Sequence, residues 1–141
     1  MSYLLDTDHI SLIHRQTAEG RRIEARLSAI DITEVFLSIV SFEEQSKGWN
    51  AALSRKHAFD KQEVVYAELA KMLEMYCSAA LLQFNSGAID QFQKLWLTRP
   101  RIGTMDLKIA SIALANNATL LTRNTRDFEK VPGLRIEDWS V

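Results

Sequence analysis

Tyr3-Leu4-Leu5-Asp6-Thr7-Asp8 opens the chain with three apolar residues that run straight into two acids. A run this short, ended by charge, reads as a buried first strand that delivers Asp6 to the end of a sheet. The pattern recurs. Val35-Phe36-Leu37-Ser38-Ile39-Val40 is β-branched and apolar and reads as a second buried strand. Leu81-Leu82-Gln83-Phe84 is a shorter candidate, Thr119-Leu120-Leu121-Thr122 a fourth, and Leu134-Arg135-Ile136 an edge strand.

Helical spacing fills the intervals. Asp8–Gln16 reads as a short helix and Ala18–Ile30 as a second, with Ile23, Leu27 and Ile30 on one face. After Ser41, the residues Phe42, Gln45, Trp49, Ala52 and Leu53 keep helical spacing. The longest helix is expected over Lys61–Ala80, with Val65, Leu69, Met72, Leu73, Tyr76 and Ala80 as its apolar stripe. Asn85-Ser86-Gly87 signals a turn before a helix over Ala88–Leu97. The proline and glycine in 98–103 break regular structure. Thr104 then caps a helix to about Asn116, with one more helical turn in Asn124–Glu129. Short apolar strands alternating with helices predict one α/β domain over residues 1–141, a mainly parallel sheet flanked by helices.

With 47% hydrophobic residues in a chain of 141, a real core is expected and disorder is not. A net charge of -1 argues against a protein that coats nucleic acid by charge alone, though not against an enzyme with a local basic rim. The lone cysteine, Cys77, excludes an intrachain disulfide framework and a cysteine zinc site; it is expected to be a buried, inert thiol. The N-terminal apolar run is too short for a signal peptide, and no stretch approaches the roughly 18 apolar residues of a membrane helix. The expected compartment is the reducing cytoplasm.

In open α/β sheets, sites form beyond the carboxyl ends of the strands. Asp6 and Asp8 follow the first strand, and Glu43 and Glu44 the second. Asp106 lies in the first turn after the Pro-Gly loop, and Asp127 follows the fourth strand across Arg123-Asn124-Thr125-Arg126. Carboxylates gathered at one edge must take up protons or hold cations. Hard oxygen donors select magnesium or manganese, and the scattered His9, His14 and His57 offer no competing zinc set. A carboxylate-held divalent ion binds phosphate oxygens and acidifies a water. Phosphodiester cleavage is therefore the expected reaction class. Arg99, Arg101, Arg123 and Arg126 flank this edge as candidate phosphate contacts, although any one of them alone reads as a solvated surface arginine.

Four stretches, in order, carry a family resemblance. They are Tyr3–Asp8, Ser38-Ile39-Val40-Ser41-Phe42-Glu43-Glu44-Gln45, Ile102-Gly103-Thr104-Met105-Asp106-Leu107-Lys108-Ile109-Ala110, and Leu120-Leu121-Thr122-Arg123-Asn124-Thr125-Arg126-Asp127-Phe128. The tail Val131–Trp139 fits as well. The chain resembles the PIN-domain nucleases, and among them the VapC-type toxins of bacterial toxin–antitoxin pairs. The resemblance implies metal acids at Asp6, Glu44 (a glycine, Gly48, follows four residues on) and Asp106. A more variable fourth position falls on Asp127, with Asn124 as rival, and Glu43 is the fallback for Glu44. Thr122 takes the usual hydroxyl position. Asp8 stands where relatives often carry asparagine, which would add charge to the site. The implied activity is a magnesium- or manganese-dependent endoribonuclease acting on structured RNA such as transfer RNA, restrained by a cognate antitoxin and commonly homodimeric.

Plainer readings stand beside these. Asp6 and Asp106 suit helix starts, and Ser41-Phe42-Glu43-Glu44 fits a capping box that would occupy Glu44. Trp49 is expected in the core, Trp96 at a helix end that could serve an interface, and Trp139 as an anchor for the C-terminus. The stripe on Lys61–Ala80 is core, or in part a face for a second subunit or an antitoxin helix. Asp6-Thr7-Asp8 also mimics the nucleophile motif of haloacid-dehalogenase-type phosphatases, but Ile10 replaces the expected Thr or Val and the later paired acids are missing. A non-catalytic RNA- or partner-binding module on the same fold is the remaining alternative.

Overall fold

A computed structural model describes residues 1–55 and 58–141; His57 lies outside the described residues. Five strands, β1 (Ser2–Leu5), β2 (Val35–Ser38), β3 (Ala80–Leu82), β4 (Ala118–Leu121) and β5 (Ile136–Glu137), form one sheet in the order β3-β2-β1-β4-β5. Every pairing is parallel, with Leu4 opposite both Phe36 and Leu120. The connecting helices are α1 (Thr7–His14), α2 (Ala18–Leu27), α3 (Ile39–Ser54), α4 (Phe59–Ser78), α5 (Ser86–Thr98), α6 (Thr104–Ala115) and the single turn α7 (Thr125–Phe128).

The side-chain period of two along β1 and β4 builds two cores. Leu4 and Leu120 point into one, filled by Ala88 and Leu95 of α5, Leu107, Ile109 and Ile112 of α6, and Phe128. Leu5 and Leu121 point into the other, with Ile10, Leu12, Ile23, Met72, Tyr76 and Trp139. α6 is buried continuously from Ile109 to Ala113, because it lies between the sheet and α5.

Several boundaries depart from the sequence expectation. β2 stops at Ser38, two residues early, because the Ser38 hydroxyl accepts the Ser41 N–H at 3.0 Å and caps α3. That cap outweighs the strand preference of Ile39 and Val40, and it removes the proposed Ser41–Glu44 capping box. Thr104 is likewise not a cap: it is the first residue of α6, and Gly103 precedes it without a side-chain hydrogen bond. The expected turn at Asn85-Ser86-Gly87 is the start of α5, with the Asn85 side chain accepting the Ala88 N–H at 3.2 Å. α2 ends at Leu27 in successive turns, yet Ile30 still packs on the second core. β3 begins and ends earlier than Leu81–Phe84, and β5 is shifted to Ile136–Glu137. Cys77 is exposed rather than buried: Met72 and Tyr76, four residues apart, face inward, so the residues next in sequence, Leu73 and Cys77, turn outward. Trp49 is half-buried and packs against the second core, whereas Trp139 is buried within it.

Gly20 marks the tightest helix approach. A Cβ there would lie 2.2 Å from the Leu12 carbonyl oxygen of α1, whereas a Cβ on Gly48, in the middle of α3, would meet nothing within 4 Å. Gly20→Ala is expected to destabilise the fold by about 1–3 kcal/mol, and Gly48→Ala to stabilise it by up to about 1 kcal/mol. Thermal unfolding of the two variants against the parent checks both signs.

Candidate metal centre

The strand order reverses direction beside β1, so the crevice beyond β1 and β4 is the topological switch point. The Asp6 N–H donates to the Leu121 carbonyl at 3.0 Å, extending the β1–β4 ladder by one bond and setting Asp6 on this crevice. Asp6 is 5% exposed and caps α1, its Oδ1 accepting the His9 N–H at 2.8 Å. Burial pushes its carboxyl up to about 7; the Asp8 and Asp106 charges add to this, against hydrogen bonds from Thr122 and the His9 main chain.

The other expected acids converge on it. Burial raises Asp106, half-buried in the first turn of α6, and the charges of Glu44 and Asp127 raise it further, while a hydrogen bond from Asn124 opposes them. Glu44 lies on the inner side of α3, where the Thr7 hydroxyl donates to its Oε1 at 2.6 Å and the Ser41 hydroxyl lies 3.0 Å from that of Thr7. Glu43 faces solvent and pairs with Lys47 at 3.0 Å, so the fallback position does not reach the crevice. The two rival fourth positions stand side by side: the Asn124 amide donates to Asp127 Oδ2 at 3.1 Å, and both act on Asp106. Thr122 is fully buried, and its oxygen accepts the Asn124 N–H at 2.9 Å.

The arginines separate. Arg123 grips Asp8 with two hydrogen bonds, Nε to Oδ2 at 2.6 Å and Nη2 to Oδ1 at 2.9 Å. Asp127 is held low chiefly by the hydrogen bond from Asn124, with Lys130 and then the Arg126 charge adding to it. Arg99 and Arg101 stand exposed on the loop before α6. Two participants escaped the sequence reading. Thr7 carries no distinguishing mark within Asp6-Thr7-Asp8, and Lys130, whose Nζ lies 3.4 Å from Asp127, has no sequence signal. A cavity of about 400 Å³ leads away from Glu44, lined by Thr7, Ser11, Gln45, Gly48, Trp49, Ala52 and Arg55.

Among the described residues, the tightest set of metal-capable atoms is Asp6, Asp8 and His9, all within 4.8 Å of one another. Asp8 is already engaged by Arg123, and burial lowers the basicity of the His9 ring. The donors left for a cation are the carboxylates, and burial, with the neighbouring acids adding to it, disfavours the charged forms of Asp6 and Asp106 where no cation stands beside them. The residues therefore fit a hard divalent ion.

The Asp6 shift has a sign. Folded and unfolded chains both hold the proton below about pH 4. Between there and about 7 only the folded chain holds it, so stability falls as pH rises, and above 7 the full penalty, on the order of 4 kcal/mol, is in place. Metal-free protein is thus expected to melt lower at pH 8 than at pH 6, with Asp6→Asn, which keeps a capping oxygen, removing most of the difference. Millimolar magnesium or manganese is expected to raise the melting temperature of the parent at pH 8 and not that of Asp6→Asn. Scanning calorimetry across pH, with and without metal, reads all three.

The chain is 27% identical to ribonuclease VapC1 of Haemophilus influenzae over 99% of both chains. It is 49% identical to the tRNA(fMet)-specific endonuclease VapC of Shigella flexneri over 39 residues, 28% of this chain and 30% of that one. The structure of VapBC-1 from nontypeable Haemophilus influenzae superposes with a TM-score of 0.78 at 24% identity over the whole of both chains. The PIN domain family model matches residues 3–134, with no place left for the phosphatase reading of Asp6-Thr7-Asp8. The chain belongs to the PIN-domain family.

Proposed function

We propose that this protein is a magnesium- or manganese-dependent endoribonuclease, the toxin of a toxin–antitoxin pair, with structured RNA such as transfer RNA as substrate. The observation that carries the reading is the meeting of Asp6, Glu44, Asp106 and Asp127, from four separate segments, at the switch point of the sheet. The ribonuclease names of the relatives, one of them specific for a tRNA, support the substrate class.

Asp6, Asp106 and Glu44 would hold the cation, with Asp127 and Asn124 on its far side. When bound, the cation supplies positive charge to phosphate oxygens and a more acidic water. Thr7 keeps Glu44 aimed at the crevice by the 2.6 Å hydrogen bond, and Thr122 does the same for Asp6. Arg123 holds its guanidinium flat against Asp8 beside the site, and its remaining N–H groups can take a phosphate oxygen. Arg126, Arg99 and Arg101 extend the basic rim along the loops.

Partners have surfaces to use. Phe59, Val64, Tyr66 and Leu73 are exposed on α4; of these only Leu73 belongs to the apolar stripe read from the sequence, and together they offer a face for an antitoxin helix. Ile89, Trp96 and Leu97 are exposed on α5, as for a homodimer. No described helix is long and apolar enough to cross a membrane, and the cytoplasm is the compartment we propose.

Protein freed of any partner is expected to cut a cellular RNA pool with magnesium or manganese, to be silent in EDTA, and to leave 5′ phosphates. Asp6→Asn and Asp106→Asn are expected to reduce cleavage by about a hundredfold or more while remaining folded, a loss in the range seen when one stabiliser of transition-state charge is removed. RNA binding without metal-dependent cutting, from folded parent protein, would favour the non-catalytic module.

A further inference from the structure

His9 is fully buried at the edge of the acidic crevice, and none of the chemistry above uses its ring. Its two nitrogens meet different neighbours. Nε2 accepts the main-chain N–H of Trp139 at 3.3 Å, with Asp138 Oδ1 3.9 Å away. Nδ1 faces Asp6 Oδ1 at 3.6 Å and has no hydrogen-bond partner. A ring nitrogen that accepts an N–H keeps its lone pair, so the ring is neutral and its one proton is on Nδ1. That assignment decides between two roles. A metal ligand at Nδ1 needs a lone pair there; a donor to the carboxylate needs the proton.

The Trp139 end of this contact is firmly held. The indole is 3% exposed, its ring centroid 4.9 Å from that of Tyr3 on β1, with the Arg26 guanidinium 4.7 Å above it. Arg22 Nε donates to the Ser140 carbonyl at 2.6 Å. The C-terminal tail is thereby fixed against α2 and β1, and its main chain selects the His9 tautomer. The His9 ring and the His9 main-chain N–H then act on the same Asp6 oxygen, at 3.6 Å and 2.8 Å, which restrains rotation of the carboxylate.

We propose that His9 is a positioning residue. Its Nδ1–H, fixed by the main chain of Trp139, orients the Asp6 carboxylate for the cation and makes the docked C-terminal tail part of the metal site. This rests on the reading of Asp6 as a metal ligand. At 3.6 Å the contact is electrostatic rather than a formed hydrogen bond, so it acts on ionised Asp6. Partners of metal-binding groups at this remove typically change affinity by about 10–100-fold when removed.

The test uses full-length protein and three variants. His9→Asn places an amide N–H near the Nδ1 position and loses the Trp139 contact; His9→Gln places an amide oxygen near the Nε2 position and loses the donor to Asp6; His9→Leu loses both. Manganese affinity is measured by titration calorimetry, with melting temperature as the control for folding. Affinity near that of the parent in His9→Asn, and weaker by about tenfold or more in His9→Gln and His9→Leu, is expected. The reverse order, with Gln retaining affinity and Asn losing it, would show a purely structural role through Trp139 and overturn the proposal. Parent-like binding in all three would overturn it while leaving the metal site intact. Absence of binding by the parent would overturn both. Nitrogen-15 imidazole spectra of metal-free parent protein decide independently of whether any variant folds: protonated Nδ1 is expected, and protonated Nε2 rules the proposal out.

Discussion

The hydrogen bond from the Asp6 N–H to the Leu121 carbonyl is the contact on which the rest of the site depends. It is the last rung of the central β1–β4 ladder, and it brings together two strands separated by most of the chain. Since β2 lies on the other side of β1, the three strand ends open toward one edge, and α1, α3 and the segment leading to α7 must start there. Each start delivers polar groups: Asp6 as the cap of α1, Glu44 in the second turn of α3, and Thr122 with Asn124 ahead of α7. Asp106 arrives from a different direction, on a helix whose other faces are buried.

Burial makes this cluster chemically useful and energetically awkward. A carboxylate in open water would need no partner. Asp6, almost wholly enclosed, retains its proton up to about pH 7 unless a cation replaces it. Hydrogen bonds from Thr122 and the His9 main chain relieve only part of the penalty. The apolar residues immediately behind it, Leu5 and Leu121, exclude water from one side and are the same residues that fix the strand register. Stability of the sheet and poise of the site thus trade against each other at a single residue.

The sequence made the architecture readable because strand and helix periods differ sharply in it. Leu4 and Leu5 point to opposite cores, and so do Leu120 and Leu121, which only an extended segment allows. What it concealed were local competitions. Ile39 and Val40 look like strand, but one serine hydroxyl turns them into helix, and the same shift releases Glu44 from the capping role it was suspected of. The outward turn of Cys77 was concealed for a related reason: an apolar stripe gives the inward direction of α4 only to within one residue, and Cys77 adjoins Tyr76 on that boundary. The choice between Glu43 and Glu44 had the same character. Neighbours on a helix point about 100° apart, so only a partner settles which faces the crevice, and that partner, Thr7, comes from another helix.

Asp8 shows how an additional acid can shape a site without enlarging its charge. On the sequence alone, a second acid two residues after Asp6 would add to the negative cluster. In the structure its carboxylate is matched oxygen for nitrogen by Arg123, with both groups about two-fifths exposed. Its influence on Asp6 accordingly ranks below that of burial. The pair forms a zwitterionic bracket that fixes an arginine at the mouth of the crevice. A neutral asparagine could not hold a guanidinium by two charge-assisted hydrogen bonds. The consequence of Asp8 therefore lies in where Arg123 stands rather than in the number of metal ligands.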